Sequence, residues 1–325
     1  MLRISTISFP GLGIGEFNVD SVAFKLFGIE IAWYAILITF GMICCITYAV
    51  VQARKVGITF DDVIDYALFT IPIGVIGARL YYVIFDTQHT YETIVDVFNI
   101  RQGGLAIYGG IIMGTLTVLV VSYFKKISFL SFGDCVAPGV LLAQGIGRWG
   151  NFMNGEAYGA PYDGFIRMGL KNYNTMTDKV LIAAGEDVSK MVYVHPTFLY
   201  ESLWNLTGVL LVYLFAKFIK KKYDGQLILL IFGWYGLGRM FIEGLRTDSL
   251  TNGEETIRVS QVLAAVIFVV CLVLLIFFAI KKPTKPLYKK APVQGEPKEE
   301  FPLIEAAVAF VKSLFNGNNG PKNKK

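Results

Sequence analysis

Apolar residues run along this chain in long blocks, and polar residues gather between them. A membrane-spanning helix needs about 20 mostly apolar residues. Seven blocks meet that requirement, near 30–53, 63–86, 104–124, 128–149, 196–219, 226–246 and 259–280. Glycines and charges interrupt the third, fourth and sixth. The pattern therefore predicts an all-α integral membrane protein, a bundle of seven transmembrane helices.

The polar connections orient the bundle. Arg54 and Lys55 follow the first block, Lys125 and Lys126 the third, "KFIKKK" (217–222) the fifth and "KKPTKPLYKK" (281–290) the seventh. Positive charge marks cytoplasmic connections. The alternate connections, around 87–103, 150–195 and 247–258, mix acidic and basic residues and are expected outside. The N-terminus is then outside and the C-terminus cytoplasmic. The expected organisation is an outer arm over 1–29, a seven-helix transmembrane domain over 30–282 with an extracytoplasmic head at about 150–195, and a basic cytoplasmic tail over 283–325. In the tail, Leu303, Ala307, Phe310, Val311 and Leu314 share one helical face opposite Glu305 and Lys312, which predicts a short amphipathic helix. The first 28 residues lack the continuous apolar core and cleavage pattern of a signal peptide.

Composition agrees. The 325 residues are 54% hydrophobic and 17% charged, against about 25% charged for a soluble domain. The net charge of +5 lies at block ends, which points to membrane orientation and to no nucleic-acid partner. Cys44, Cys45, Cys135 and Cys271 all lie in apolar blocks, without CxxC spacing. They read as buried membrane thiols; no metal site, disulfide framework or cofactor is expected.

The candidate chemistry starts where a membrane-grade block runs into "GRWGNFMNGEAYG" (147–159), with Arg148, Asn151, Asn154, Glu156 and Gly159. Irregular polar backbone at membrane depth is tolerated where protein buries it or where it lines a cavity. A polar helix end at the interface explains the stretch equally well when it is taken alone. The sixth block tips the balance. In "WYGLGRMFIEGLRTD", Tyr235, Arg239, Glu243 and Arg246 fall within about an 80° arc of one helix. A charge near the bilayer centre costs about 3 kcal/mol on insertion scales. The plain alternative is an Arg239–Glu243 pair that only orients helices. Arg79 in "GARLYYV", Tyr34 in "AWYAIL", Tyr108 in "GGLAIYGG" and the segment "HPTFLYE" (195–201), with Pro196 at a first helical position and Tyr200 and Glu201 behind it, add polar groups inside apolar blocks. Arginines converging from the second, fourth and sixth blocks predict an anion, since the guanidinium fork fits phosphate. In a membrane that phosphate is a lipid headgroup. A transporter or channel for an anionic substrate remains the alternative. No internal repeat supports it. No carboxylate-rich metal motif supports a phosphatidyltransferase of the CDP-alcohol kind, and the surroundings of Asp62, Asp65 and Asp134 do not suit an intramembrane protease.

Five of these motifs, "GARLYYV", "GGLAIYGG", "GRWGNFMNGEAYG", "HPTFLYE" and "YGLGRMFIEGLR", resemble in content and order the signature of bacterial prolipoprotein diacylglyceryl transferases, over roughly residues 30–265. The resemblance implies a seven-helix bundle with an outer head and lateral openings, in the bacterial cytoplasmic membrane. It implies transfer of the diacylglyceryl group of phosphatidylglycerol to the lipobox cysteine of a prolipoprotein signal peptide, with glycerol phosphate leaving and no cofactor or metal. Membrane lipids would surround the site. By the same resemblance, Arg148 would bind the headgroup and Arg239 would sit at the reacting phosphate, while Asn151, Glu156, Gly159, Tyr34, Tyr235, Glu243 and Arg246 would shape the site beside Asn154. Two positions depart from the pattern. Tyr108 stands where the family often has a histidine cast as base for the thiol, and Phe198 replaces a polar residue. An ordinary phenol with a pKa near 10 is only about 0.1% ionised at pH 7, so the identity of the base stays open.

Overall fold

A computed structural model describes residues 4–86, 91, 93–99, 103–247, 258–281, 283 and 286–290. Seven of its helices are long and apolar enough to cross a membrane: Trp33–Val56, Phe60–Phe85, Ile107–Lys125, Phe129–Asn154, Thr197–Ile219, Gln226–Leu245 and Val259–Lys281. They match the seven apolar blocks. We name the helical elements α1 (Trp33–Ala53), α2 (Phe60–Phe85), α3 (Ile94–Phe98), α4 (Ile107–Lys125), α5 (Phe129–Asn154), α6 (Tyr173–Thr177), α7 (Lys179–Ala183), α8 (Thr197–Leu214), α9 (Gln226–Ile242) and α10 (Val259–Lys281).

Local chemistry sets the ends. Thr59 and Asp62 form a capping box at the start of α2. Gly155 closes α5 in the left-handed conformation, at φ 60°, which glycine adopts without steric cost. Pro196 caps α8 from just outside rather than occupying its first turn. Helix α5 is the central element, packing on α1, α8 and α9, whereas α2 packs chiefly on α4 and α10 on α9. Much of the remaining helix surface is exposed Leu, Ile, Val and Phe, as lipid-facing helices require.

The bundle is helical as expected, but the segments outside it add strands to short helices. Strands β1 (Ile4–Phe9), β2 (Ile14–Asp20), β5 (Met168–Lys171) and β6 (Val192–Val194) make an antiparallel sheet in the order β2-β1-β5-β6, with Ile7 opposite Leu170 and Met168 opposite Val194. Strands β3 (Val22–Leu26) and β4 (Ile29–Ala32) form a separate hairpin that leads into α1. Strands β1 and β2 thus join the 155–196 region in one small head. Its core is Ile7, Met168, Leu170, Leu181, Val192 and Val194, seated on Phe152 at the end of α5 and Phe198 at the start of α8. Phe198, a departure from the family pattern, is thus a packing residue; its ring lies 4.7 Å from Phe152 and 5.4 Å from Trp149. Short strands joined across 160 residues leave no periodic signal for a helix-by-helix reading.

Cys135 and Cys271 are buried free thiols, as expected, whereas Cys44 and Cys45 are only half-buried. The amphipathic segment around Leu303–Leu314 lies outside the described residues.

Candidate active site

The polar motifs meet at the end of the bundle that carries the head. Arg148 is on the last turns of α5, Glu201 on the first turns of α8 and Arg239 on α9. The stripe on the sixth block does not stay on one helix. After Ile242 the chain tightens into a 3₁₀ turn over Glu243–Leu245 and then extends at Arg246. The tightening keeps Arg246 on the same cluster.

Glu201 is the hub. Its Oε1 accepts from Arg239 Nη1 at 2.9 Å and from Arg246 Nη1 at 3.1 Å, and its Oε2 pairs with Arg148 Nη2. Arg239 Nη2 also holds Glu243 Oε2 at 2.5 Å. The Arg239–Glu243 pair weighed from the sequence exists, but Arg239 spans two carboxylates on two elements. Glu201 and Glu243 are 4% and 1% exposed. Burying a carboxylate without partners costs several kcal/mol, so these arginines are what permits the burial. Glu243 is held from α10 as well: Ser260 Oγ donates to its Oε1 at 2.6 Å and Arg258 Nη1 donates to its main-chain oxygen.

The cluster keeps surplus positive charge. Three guanidiniums, Arg148, Arg239 and Arg246, share two carboxylates. Arg148 Nε is buried and finds no acceptor among the described residues. A buried donor without an acceptor is unfavourable by about 1–3 kcal/mol, more when charged, and an anionic oxygen relieves it.

The other motif residues extend this centre. Arg148 Nη1 donates to Asn151 Oδ1 at 3.3 Å; Asn151 and Asn154 both donate to Glu156 Oε1, at 3.0 and 3.1 Å. Glu156 is thus bound by amides and joins the arginines through Asn151. Gly159 forms a β-bridge to Arg246 and donates its N–H to His195 O at 2.9 Å. A side chain at Gly159 would collide with His195 and the Leu245 carbonyl, so only glycine allows the approach that holds Arg246. Gly150 is likewise filled by the Tyr34 ring. Tyr235 lines a small cavity with Glu201, Trp204, Asn205, Gly238, Arg239 and Ile242. Tyr108 stands at the start of α4, 6.5 Å from the Tyr81 ring and within electrostatic reach of Arg239, Tyr235 and Glu243.

One expectation fails. Arg79 does not join the anion cluster. Its Nε and both Nη donate to the main-chain oxygens of Val97, Gly103, Gly104 and Asp96 at 2.7–3.1 Å, so it clamps the connection between α2 and α4. Glu201, conversely, is a site residue that the sequence pattern alone does not assign. Its signal was present, for it is the only charge between Pro196 and Ala216. His195 is stacked on Tyr162 at 3.9 Å, its Nδ1 is 3.2 Å from the Tyr200 hydroxyl, and burial lowers its pKa below the ordinary imidazole value. Among the described residues no group of three or more His, Cys, Asp or Glu side chains is arranged to hold a metal ion.

A family profile described as "Prolipoprotein diacylglyceryl transferase" matches residues 21–277. Curated relatives carry the name phosphatidylglycerol–prolipoprotein diacylglyceryl transferase. One from Clostridium kluyveri is 44% identical over 247 residues, 76% of this chain and 91% of the relative. One from Clostridioides difficile is 44% identical over 250 residues, with the same coverage of 76% and 91%. One from Enterococcus faecalis is 43% identical over 259 residues, 80% of this chain and 90% of the relative. The chain belongs to the prolipoprotein diacylglyceryl transferase family.

Proposed function

We propose that the arginine cluster at the head end is the catalytic centre of a phosphatidylglycerol–prolipoprotein diacylglyceryl transferase. The observation that carries the assignment is a buried surplus of guanidinium: three forks share two carboxylates, and one Arg148 N–H has no protein acceptor among the described residues. Phosphate oxygens fit such a centre, and in a bundle of membrane-grade helices a phospholipid brings them.

The reaction follows from that charge. The cysteine thiolate of the prolipoprotein attacks the glycerol carbon that bears the phosphate oxygen. The S–C bond forms, the C–O bond breaks, and glycerol phosphate leaves with the electron pair. Negative charge moves from sulfur to phosphate, and the thiol proton leaves the sulfur before or during attack. Arg148 holds the headgroup and Arg239 lies at the leaving oxygen. Glu201 and Glu243 hold the forks fixed, so little reorganisation accompanies the charge shift. Donors preorganised in this way are worth about 3 kcal/mol each. Asn151, Asn154 and Glu156 position Arg148, Gly159 positions Arg246, and Tyr34, Tyr108 and Tyr235 wall the site. A thiol with a pKa near 8.5 is already a few per cent ionised at pH 7, and positive surroundings raise that fraction. Tyr108 is then a pocket group rather than the base.

The charge pattern of the connections supports a head outside and a basic tail in the cytoplasm of a bacterial cell, with the catalytic domain over 30–282 in the cytoplasmic membrane. The thiol is that of a lipobox cysteine, which ends an apolar signal segment and so arrives within the bilayer. The test is direct. Purified protein with phosphatidylglycerol vesicles and a lipobox peptide is expected to yield a diacylglyceryl thioether, seen by mass spectrometry. Movement of an anion across the vesicles without that product overturns the reading in favour of a carrier.

A further inference from the structure

Two of the four tryptophans of the chain form a reciprocal contact next to the arginine cluster. Trp204 of α8 donates its indole N–H to the main-chain oxygen of Trp234 at 2.9 Å, and Trp234 of α9 donates to the main-chain oxygen of Trp204 at 2.8 Å. The rings stack at 4.3 Å, with 14° between their planes. Each tryptophan is followed four residues later by a glycine, Gly208 and Gly238, on the same helical face. The indole of Trp234 occupies the space above Gly208, and that of Trp204 the space above Gly238. A methyl group at either glycine would drive into the opposite indole.

We infer that this Trp-x-x-x-Gly pair is a positioning device for the transfer reaction: it fixes the register of α8 against α9 and thereby sets Glu201 against Arg239. Glu201 lies three residues before Trp204 and Arg239 five after Trp234, and both side chains line one small cavity with Trp204 itself. A slip of one residue along a helix moves a side chain about 1.5 Å and turns it by about 100°. Leucine and valine packing in lipid resists such slips weakly, because lipid tails are as apolar as the helix faces. An indole N–H in hydrocarbon has no water to turn to, so each ring is held to its one acceptor. Two donors, two acceptors and two glycine hollows are all satisfied at one register. The device acts through Arg239 and Glu201, and neither tryptophan touches the reacting atoms.

The inference rests on the proposed transfer activity, and two readouts keep the two apart. Trp204→Phe and Trp234→Phe keep an aromatic ring and lose the N–H. Each is expected to abolish the exciton couplet of the stacked indoles in circular dichroism. Each is also expected to lower kcat roughly tenfold while leaving KM for the lipobox peptide unchanged. Trp33→Phe is expected to keep both the couplet and kcat. In a Glu201→Gln background the Trp204→Phe loss shrinks, as for residues acting through one contact. Phosphatidylglycerol binding to the detergent-solubilised protein, read by thermal shift, weakens in the clasp variants. If either Phe variant fails to accumulate, Gly238→Ala, which presses a methyl group on the Trp204 ring, is expected to show the same losses. A lost couplet with lower melting temperature but unchanged kcat and lipid binding overturns the inference, leaving a merely structural clasp. If the wild-type protein forms no thioether, the transfer reading fails alone, and lipid binding by the same variants decides the clasp.

Discussion

The two ends of the bundle both bury charge, and they bury it differently. At the head end three arginines share Glu201 and Glu243; including Arg258 and Glu156 leaves the same surplus of one positive charge. At the opposite end the ion-paired clusters are built from lysines, and within them the carboxylates predominate or balance. Asp62 is held by Lys125 at 3.0 Å and Lys290 at 2.5 Å, and Lys125 also pairs with Asp65 at 2.6 Å. Lys221 lies 3.0 Å from Asp134 and 2.8 Å from Asp224. These carboxylates also satisfy main chain: Asp62 closes a capping box, Asp134 accepts from the N–H groups of Gly225 and Ile228, and Asp224 accepts from Tyr288. Asp62, Asp134 and Asp224 thus serve to join connections. Buried charge is therefore not by itself a mark of chemistry. What separates the ends is a surplus of forked donors over acceptors at one of them.

The comparison breaks most sharply at the arginines. Arg239→Lys and Arg148→Ala are each expected to lower kcat by about 10²–10³ while the protein still inserts; Arg148→Ala also lowers the melting temperature, because it removes one partner of the buried Glu201. Lysine keeps the charge of Arg239 but cannot bridge two carboxylates and a phosphate at once. Near-normal turnover in Arg239→Lys would reduce that residue to a helix-pairing role. Glu201→Gln comes next and moves both readouts. Removing one partner of a buried charged network destabilises by about 3–5 kcal/mol, so a lower melting temperature is expected together with a fall in kcat of roughly tenfold or more.

The opposite end should respond in stability alone. Asp134→Asn weakens charge-assisted bonds worth about 1.5–3 kcal/mol and is expected to lower the melting temperature by several degrees, with kcat of the folded fraction intact. A loss of kcat there would erase the distinction between the ends. Tyr108→Phe is expected to cost about tenfold or less in kcat, near one lost net hydrogen bond of about 1 kcal/mol, equally at every pH below that of phenol ionisation. A deficit confined to low pH in the pH–rate profile would instead make Tyr108 the thiol base. The smallest effect is at His195. Burial holds its pKa below the ordinary imidazole value of about 6.5, so the unfolded chain takes up the proton first as pH falls. Its contribution to stability is complete above about pH 6.5 and is lost as pH falls from there through the folded pKa. Melting curves between pH 7.5 and 5.5 (about one unit either side of a normal histidine) should slope less in His195→Gln.

The site was largely legible because its residues violate the surroundings that the rest of the sequence demands. Arg148, Arg239, Glu243 and Arg246 stand inside apolar blocks, and only partners make that tolerable. The same reasoning misjudged Arg79, which is more deeply buried than Arg148, Arg239 or Arg246 but spends its donors on loop carbonyls. An arginine's neighbours at that point lie 17–25 residues away on an irregular connection, where no periodicity reveals them.

By itself the sequence determined the seven spans, since hydrocarbon thickness dictates about 20 apolar residues per crossing and backbone groups in lipid must pair within the helix. It also determined which polar side chains had to find partners. Only the tertiary structure decided who those partners are. It turned Glu201 into the hub of three arginines, broke the α9 stripe with a 3₁₀ turn that still delivers Arg246, and joined strands from before α1 and from the α5–α8 connection into one head. The physical reason is range. Hydropathy and helical period act between neighbours in the chain, whereas ion pairs, sheet ladders and the Trp204–Trp234 contact depend on how separate segments are brought side by side.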